Sequence, residues 1–225
     1  MKKATVIKPF ITDRNEICLS GDIVYIEGSK VFFNRVFLGR FCDTNKEVEK
    51  KLLSVGIVLE DTKKKLGYTD IPKVHVVVPH KTIIGEPYAL NLNKDLIELI
   101  NTYHTYKGSK TDLAKEHSVQ FRQLSEVSEL IRDFLRINDF NGKISIAGKN
   151  YLGFDVKFLS KLHGWDLIGW SRRVIDPAVL FIDWTTDDEL PDLTTCKKRA
   201  DIEGVVTHNA VEDAYDVVSL LRKFY

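Results

Sequence analysis

The sequence predicts an α/β protein with a small β-rich domain at its front, and three observations lead there. Residues 1–35 carry short β-prone runs broken by Gly, Asp and Ser turns. Residues 52–59, LLSVGIVL, form one unbroken apolar run of strand length, as in a strand covered on both faces. Beyond it, apolar residues recur at helical spacing in segments that alternate with short apolar strands, the order of an α/β domain.

In the first part, residues 4–11, 17–19 and 23–27 read as strands. The tripeptide Ser20-Gly21-Asp22 and the pair Gly28-Ser29 supply tight connections. Such strands suggest a small sheet or an SH3-like barrel. Residues 31–41, rich in Val, Phe and Leu, either close that sheet or open the next domain, and the boundary is drawn between 35 and 36. Residues 74–78 give another strand. Leu92, Leu96, Ile97, Leu99 and Ile100 predict a helix over 91–103, capped by Asn91 or Asn93. Val127, Leu130, Ile131, Phe134 and Leu135 predict a second helix over 125–137, opened by Ser125 with acids in its first turn and stopped by Gly142. Residues 144–147 read as a short buried strand and 154–162 as a helix ending at Gly164. Residues 191–200 make a short helix with Pro191 near its first turn, and 209–224 the final helix.

Of the 225 residues, 44% are apolar and 29% charged, enough apolar side chains for a packed core. The formal net charge is +1, so no global basic field marks a nucleic-acid binder, and any such role requires cations concentrated locally. The dense runs at 46–51 and 63–65 read as solvated faces. Cys18, Cys42 and Cys196 are scattered and form no C-x-x-C pair, which argues against a zinc knuckle or a disulfide framework. Reduced thiols, a start without an apolar signal region and the lack of any apolar run of spanning length together predict a cytoplasmic protein without membrane contact.

Two segments carry candidate chemistry. In 207–214, THNAVEDA, Asn209 is a good N-cap and Glu212 holds the reciprocal capping-box position. His208 then lies just before the cap and Asp213 at the fourth helical position, two places that face each other across the first turn. The carboxylate there can hold a metal ion while the imidazole takes a proton from water. The same pair also reads as a surface His and Asp on an amphipathic helix. In 144–155, ISIAGKNYLGFD, a strand ends in a Gly-containing loop and a helix follows with Asp155 in its first turn. Active groups favour the carboxyl ends of strands in α/β folds. Lys149 and Asn150 sit in that loop, within reach of a phosphate or sugar. Asp155 alternatively serves only the helix dipole.

The segment GKNYLGFDVKFL resembles the second motif of the DEDD 3′–5′ exonucleases, the superfamily of polymerase proofreading exonucleases, oligoribonuclease and RNase T. His208-x4-Asp213 resembles the third motif of its histidine branch. Arg173-Val174-Ile175-Asp176-Pro177 resembles the family's R-v-x-D-P strand, and Pro191-Asp192-Leu193 with Cys196 the helix before the third motif. Residues 53–58 and 85–91 resemble its second strand and the segment after a strand, so the likeness covers about residues 36–225. It implies an RNase H-like exonuclease domain, a mixed central sheet flanked by helices. It also implies a phosphodiesterase in which four carboxylates hold two Mg²⁺ or Mn²⁺ ions about 4 Å apart. Asp155 and Asp213 would then be metal ligands and His208 the general base, since an unperturbed imidazole titrates near neutrality. Lys149, Asn150 and Asn209 would contact substrate, the 3′ ends of single-stranded DNA or RNA.

The family's first motif, Asp-x-Glu, is not intact. In one register Asp43 supplies a further catalytic carboxylate and metal ligand, while Asn45 stands where the motif has glutamate. In another, Gly39 and Phe41 occupy the two positions, and Glu47 or Glu49 would have to substitute. A neutral amide removes one negative charge from a cluster that must hold two dications. The resemblance therefore implies either an exonuclease or a degenerate fold that grips a nucleic-acid end or a protein without cutting, with the N-terminal β domain as a place for a protein partner. Tyr151 and Phe154 would stack on a terminal base or sit in the core, and the core is the expected place for Phe154.

Overall fold

A computed structural model describes residues 51–140 and 142–225, together with five strands between residues 2 and 33. Contacts group the chain into two units, Met1–Glu49 and Lys50–Tyr225. The boundary expected between 35 and 36, and with it Asp43, lies outside the described residues.

In the first unit β1 (Lys2–Thr5), β4 (Ile23–Glu27) and β5 (Lys30–Phe33) form an antiparallel sheet in the order β1-β4-β5. In the β4–β5 ladder Glu27 pairs with Lys30 and Ile26 with Val31. A separate antiparallel pair joins β2 (Phe10–Ile11) to β3 (Ile17–Cys18).

The second unit is mixed α/β. Strand β6 (Ser54–Val58) runs antiparallel to β7 (Lys73–Val77), and β7 pairs in parallel with β8 (Gln120–Phe121). A second, parallel pair joins β9 (Ile144–Ala147) to β10 (Trp170–Ile175). Around them lie α1 (Pro87–Leu92), α2 (Lys94–Thr105), α3 (Lys110–Glu116), α4 (Val127–Ile137), α5 (Val156–Leu159), α6 (Leu193–Arg199) and α7 (Ala210–Leu221).

Several elements depart from the sequence reading. The helix expected over 91–103 divides at Asn93, whose side-chain amide donates back to the Ala89 carbonyl instead of capping α2. The helix expected from Ser125 is opened by Gln123 and Glu126 in a reciprocal capping box, with the Glu126 carboxylate accepting from the Gln123 N–H at 2.8 Å. Strand β9 alternates half-buried and exposed residues, so it is covered on one face only. In β6, Val55 is buried while the rest of the strand is half-buried, so its two faces are not equally covered.

The larger core takes one face of the sheet, through Val55, Val74 and Val76, and packs it on Val127, Ile131 and Leu135 of α4. Val77, on the opposite face of β7, joins Ile100, Leu113 and Phe121 in a second cluster. Adjacent residues Val76 and Val77 are both fully buried, as the two-residue period of a central strand requires.

Helix α7 is held at both ends. A Cβ on Gly56 would lie 2.2 Å from the Ala210 carbonyl carbon and 2.4 Å from the Val211 nitrogen, so only glycine lets the helix start sit on β6. At the other end Arg222 grips both oxygens of Glu60, at 2.7 and 2.6 Å, and donates to the Leu66 carbonyl. Opposite Gly56 in the ladder stands His75, whose buried Nε2 has no hydrogen-bond partner among the described residues. Burial pushes this imidazole below its ordinary 6.5, against a smaller opposing pull from Glu212. No helix among the described residues is long and apolar enough to cross a membrane.

Two outcomes follow. Gly56→Ala must displace α7 and is expected to cost about 1–3 kcal/mol in denaturant unfolding, as overpacking does. The lowered His75 pKa means that the unfolded chain binds a proton first as pH falls below 6.5. Stability should therefore decline from pH 6.5 towards the lower folded value, and His75→Gln should flatten that part of the stability–pH curve.

Candidate functional site

The start of α7 is built by side chains. Asn209 is the N-cap, and its Oδ1 accepts from the N–H groups of Val211 at 3.0 Å and Glu212 at 3.3 Å. Glu212 does not close the box on Asn209 as its position suggested. Its carboxylate accepts from the Thr207 hydroxyl at 2.5 Å, and the Thr207 oxygen in turn accepts from the Asn209 N–H at 3.3 Å. Thr207 thus stands inside the expected reciprocal pair. The cap uses the oxygen of the Asn209 side chain and leaves its NH₂ as a donor.

His208 precedes the cap with φ +59°, a left-handed backbone that a non-glycine residue adopts at a cost. It is exposed, while Asp213 is half-buried. The charge of His208 reaches Asp213, but no ion pair or hydrogen bond joins the two side chains among the described residues. Burial raises the Asp213 carboxyl above its ordinary 3.8, and the charge and backbone N–H of His208 pull it back. Asp216 and Glu212, on the same helix, push it further up. Asp213 Oδ1 is buried and has no hydrogen-bond partner among the described residues.

Asp155 sits in the turn that opens α5, where its carbonyl accepts from the Phe158 and Leu159 N–H groups. Burial raises its carboxyl also. Tyr151 lies beside it: burial first, then the Asp155 charge, lifts the Tyr151 hydroxyl above its ordinary 10.0. Tyr151 packs on the larger core, whereas Phe154 is 57% exposed with its ring 5.3 Å from that of Phe158. The expectation that Phe154 enters the core is therefore corrected. The helix begins only at Val156, and the turn before it directs Phe154 outwards.

The loop before Asp155 crosses the carboxyl ends of the parallel strands. Asn150 has φ +55° and donates its N–H to Asp176 at 2.8 Å, and Asp176 also accepts from the Ala178 N–H at 2.9 Å. The Asn150 side chain folds over Gly153, where a Cβ would lie 2.1 Å from Oδ1. Asn150 is thus first a loop-shaping residue. Lys149 is half-buried near the start of α6. There the Asp192 carboxyl is held below the ordinary range by Thr195 and, to a smaller degree, by Lys149.

The structure thus describes two acidic centres, Asp155 with Tyr151 and Asp213 with His208. Among the described residues no three of His, Cys, Asp and Glu gather into a metal-binding group. The sequence reading missed a polar cavity of about 220 Å³ against α7, lined by Tyr68, Thr207, Glu212, Tyr215 and the ion pair of Lys197 with Asp216 at 2.7 Å. The spacing of Glu212 and Asp216 on one helix face was legible, but the approach of Lys197 across nineteen positions was not. No protein-family model, curated protein or solved structure matches the chain.

A carboxyl whose folded pKa lies above its unfolded value loses stability as pH rises from 3.8 through the folded value. Asp155→Asn and Asp213→Asn should each raise the thermal midpoint of the metal-free protein at neutral pH, by about 2–4 °C for each ~1 kcal/mol recovered.

Proposed function

We propose that this chain is a metal-dependent 3′–5′ exonuclease with an RNase H-like catalytic domain, hydrolysing phosphodiester bonds at the 3′ ends of single-stranded DNA or RNA. One observation carries the reading. His208 stands near enough at the start of α7 for its charge to act on Asp213, and one buried Asp213 oxygen has no hydrogen-bond partner among the described residues. A desolvated carboxylate with one oxygen unpaired is suited to a cation, and hard divalent ions take oxygen ligands. Asp155, desolvated in the same way, suits the same role. Asp155 and Asp213, with Asp43, would hold Mg²⁺ or Mn²⁺, which when bound lowers the pKa of water and offsets charge on the phosphate.

The chain's own residues have separate tasks. Exposed on its left-handed turn, His208 takes the proton of the attacking water. The water oxygen bonds to phosphorus, the bond to the 3′ oxygen breaks, and a nucleoside monophosphate leaves. The Asn209 NH₂ and the Lys149 ammonium donate to substrate oxygens. Asn150 shapes the loop that presents Asp155.

A second reading has one observation in its favour: no group of three potential ligands assembles among the described residues. It makes the chain a degenerate exonuclease that binds a nucleic-acid end or a protein. A gel assay separates the two. Full-length protein is incubated with 5′-labelled single-stranded DNA or RNA and Mg²⁺ or Mn²⁺. The exonuclease gives a ladder shortened from the 3′ end, abolished by EDTA and reduced on the order of 100-fold or more in Asp155→Ala and in Asp213→Ala. Intact substrate under every condition establishes the binding module instead.

A further inference from the structure

Parallel strands are as a rule covered on both faces. The β9–β10 pair is not. Ile144 and Trp170 pack into the larger core, while Ser145 and Ala147 on the other side are exposed. Ile175, beside Ala147 in the ladder, is 46% exposed.

The register explains what else that strand displays. Trp170 pairs with Ile144 and Val174 with Ile146, so β10 holds three residues where β9 holds Ser145 alone. In a regular strand one of two consecutive residues faces the core. The bulge frees Arg172 and Arg173 from that alternation, and both are exposed. Neither takes part in an ion pair among the described residues. Lys143, exposed, stands at the start of β9, and Lys149 at its end. Neither strand contains an acid. Asp176, just past β10, already accepts from two backbone N–H groups. The strip ends at the loop of Asp155, where Leu152 and Phe154 are exposed.

We propose that this uncovered face is the track along which the backbone of a single-stranded nucleic acid lies on its way to Asp155. Arg172 and Arg173 pair with phosphates, and Phe154 offers its ring to a base. Six residues of strand span about 20 Å, room for several phosphates. The track supplies the local cation density that a chain of net charge +1 otherwise lacks. The inference rests on the exonuclease reading and adds where the polymer runs beyond the scissile bond.

The test measures anisotropy of a labelled oligothymidylate long enough to span the sheet, with full-length protein in EDTA, across a range of salt. Cleavage of a trinucleotide with Mn²⁺ is measured in parallel. The variants are Arg172→Gln/Arg173→Gln and, independently, Ala147→Glu on the same face, each checked by thermal melting. The arginine variant should bind the long oligonucleotide on the order of tenfold more weakly, with a log–log salt slope shallower by about 1.4, two contacts at ~0.7 each. Ala147→Glu should weaken it too, and both variants should still cleave the trinucleotide. Unchanged affinity and slope with trinucleotide cleavage intact would overturn the track and leave the exonuclease standing. If wild type neither binds nor cleaves, both readings fall. An oligoglutamate peptide that binds as tightly and displaces the oligonucleotide would assign the face to an acidic protein segment and overturn the proposal.

Discussion

The seating of α7 on β6 is the constraint on which the second unit turns. Without a side chain at Gly56, the carbonyl carbon of Ala210 and the nitrogen of Val211 come within 2.2 and 2.4 Å of where a Cβ would stand, closer than any van der Waals contact. That closeness brings the first turn of the helix, with Asn209, Asp213 and their neighbours, down onto the sheet. The other end is fixed by the Arg222 fork on Glu60, just beyond β6. Helix and strand therefore run in the same sense. The ion pair of Lys197 with Asp216 then ties α6 to the middle of α7.

This seating has an electrostatic consequence. Lowering the helix onto the sheet desolvates Asp213, and two further acids on the same helix oppose its ionisation. Asp155 meets a similar environment through Tyr151 and the core beneath it. The same burial holds the His75 imidazole below its ordinary pKa. Desolvated carboxyls are costly to ionise, and carboxyls shifted in this way gather chiefly at sites that bind or react. The left-handed turns at Asn150 and His208 add backbone strain at the same two places.

The β9–β10 pair shows the complementary case of a surface left uncovered. Its inner face joins the core through Ile144 and Trp170, and the bulge in β10 lets two arginines remain in water where a regular strand would have drawn one inside. The loop at the carboxyl ends of these strands is stitched by Asp176 to both crossing segments. Charge, an open sheet face and an exposed aromatic ring thus meet beside one of the two acidic centres.

Local chemistry made much of this readable in the sequence. Apolar patterning located β6, β7, β9, α2 and α4 of the second unit, because burial imposes a period of two or 3.6 on any chain that packs, but it gave no sign of α1, α3 or β8. Asn209 as a cap, with His208 just before it and Asp213 in the first turn, followed from positions within one helical turn. Thr207 entered the capping box because a hydroxyl five positions from Glu212 can reach it once the loop folds back, which spacing alone does not reveal. Only the tertiary structure decided the rest. Phe154 is exposed because α5 begins after it, and Asn150 is a loop brace because Asp176, twenty-six positions away, accepts its N–H. Lys197 meets Asp216, and Gly56 meets Ala210, across separations that no sequence period encodes. Local residues set which groups lie on one turn or one face, but burial and partnership across the chain depend on how those faces dock.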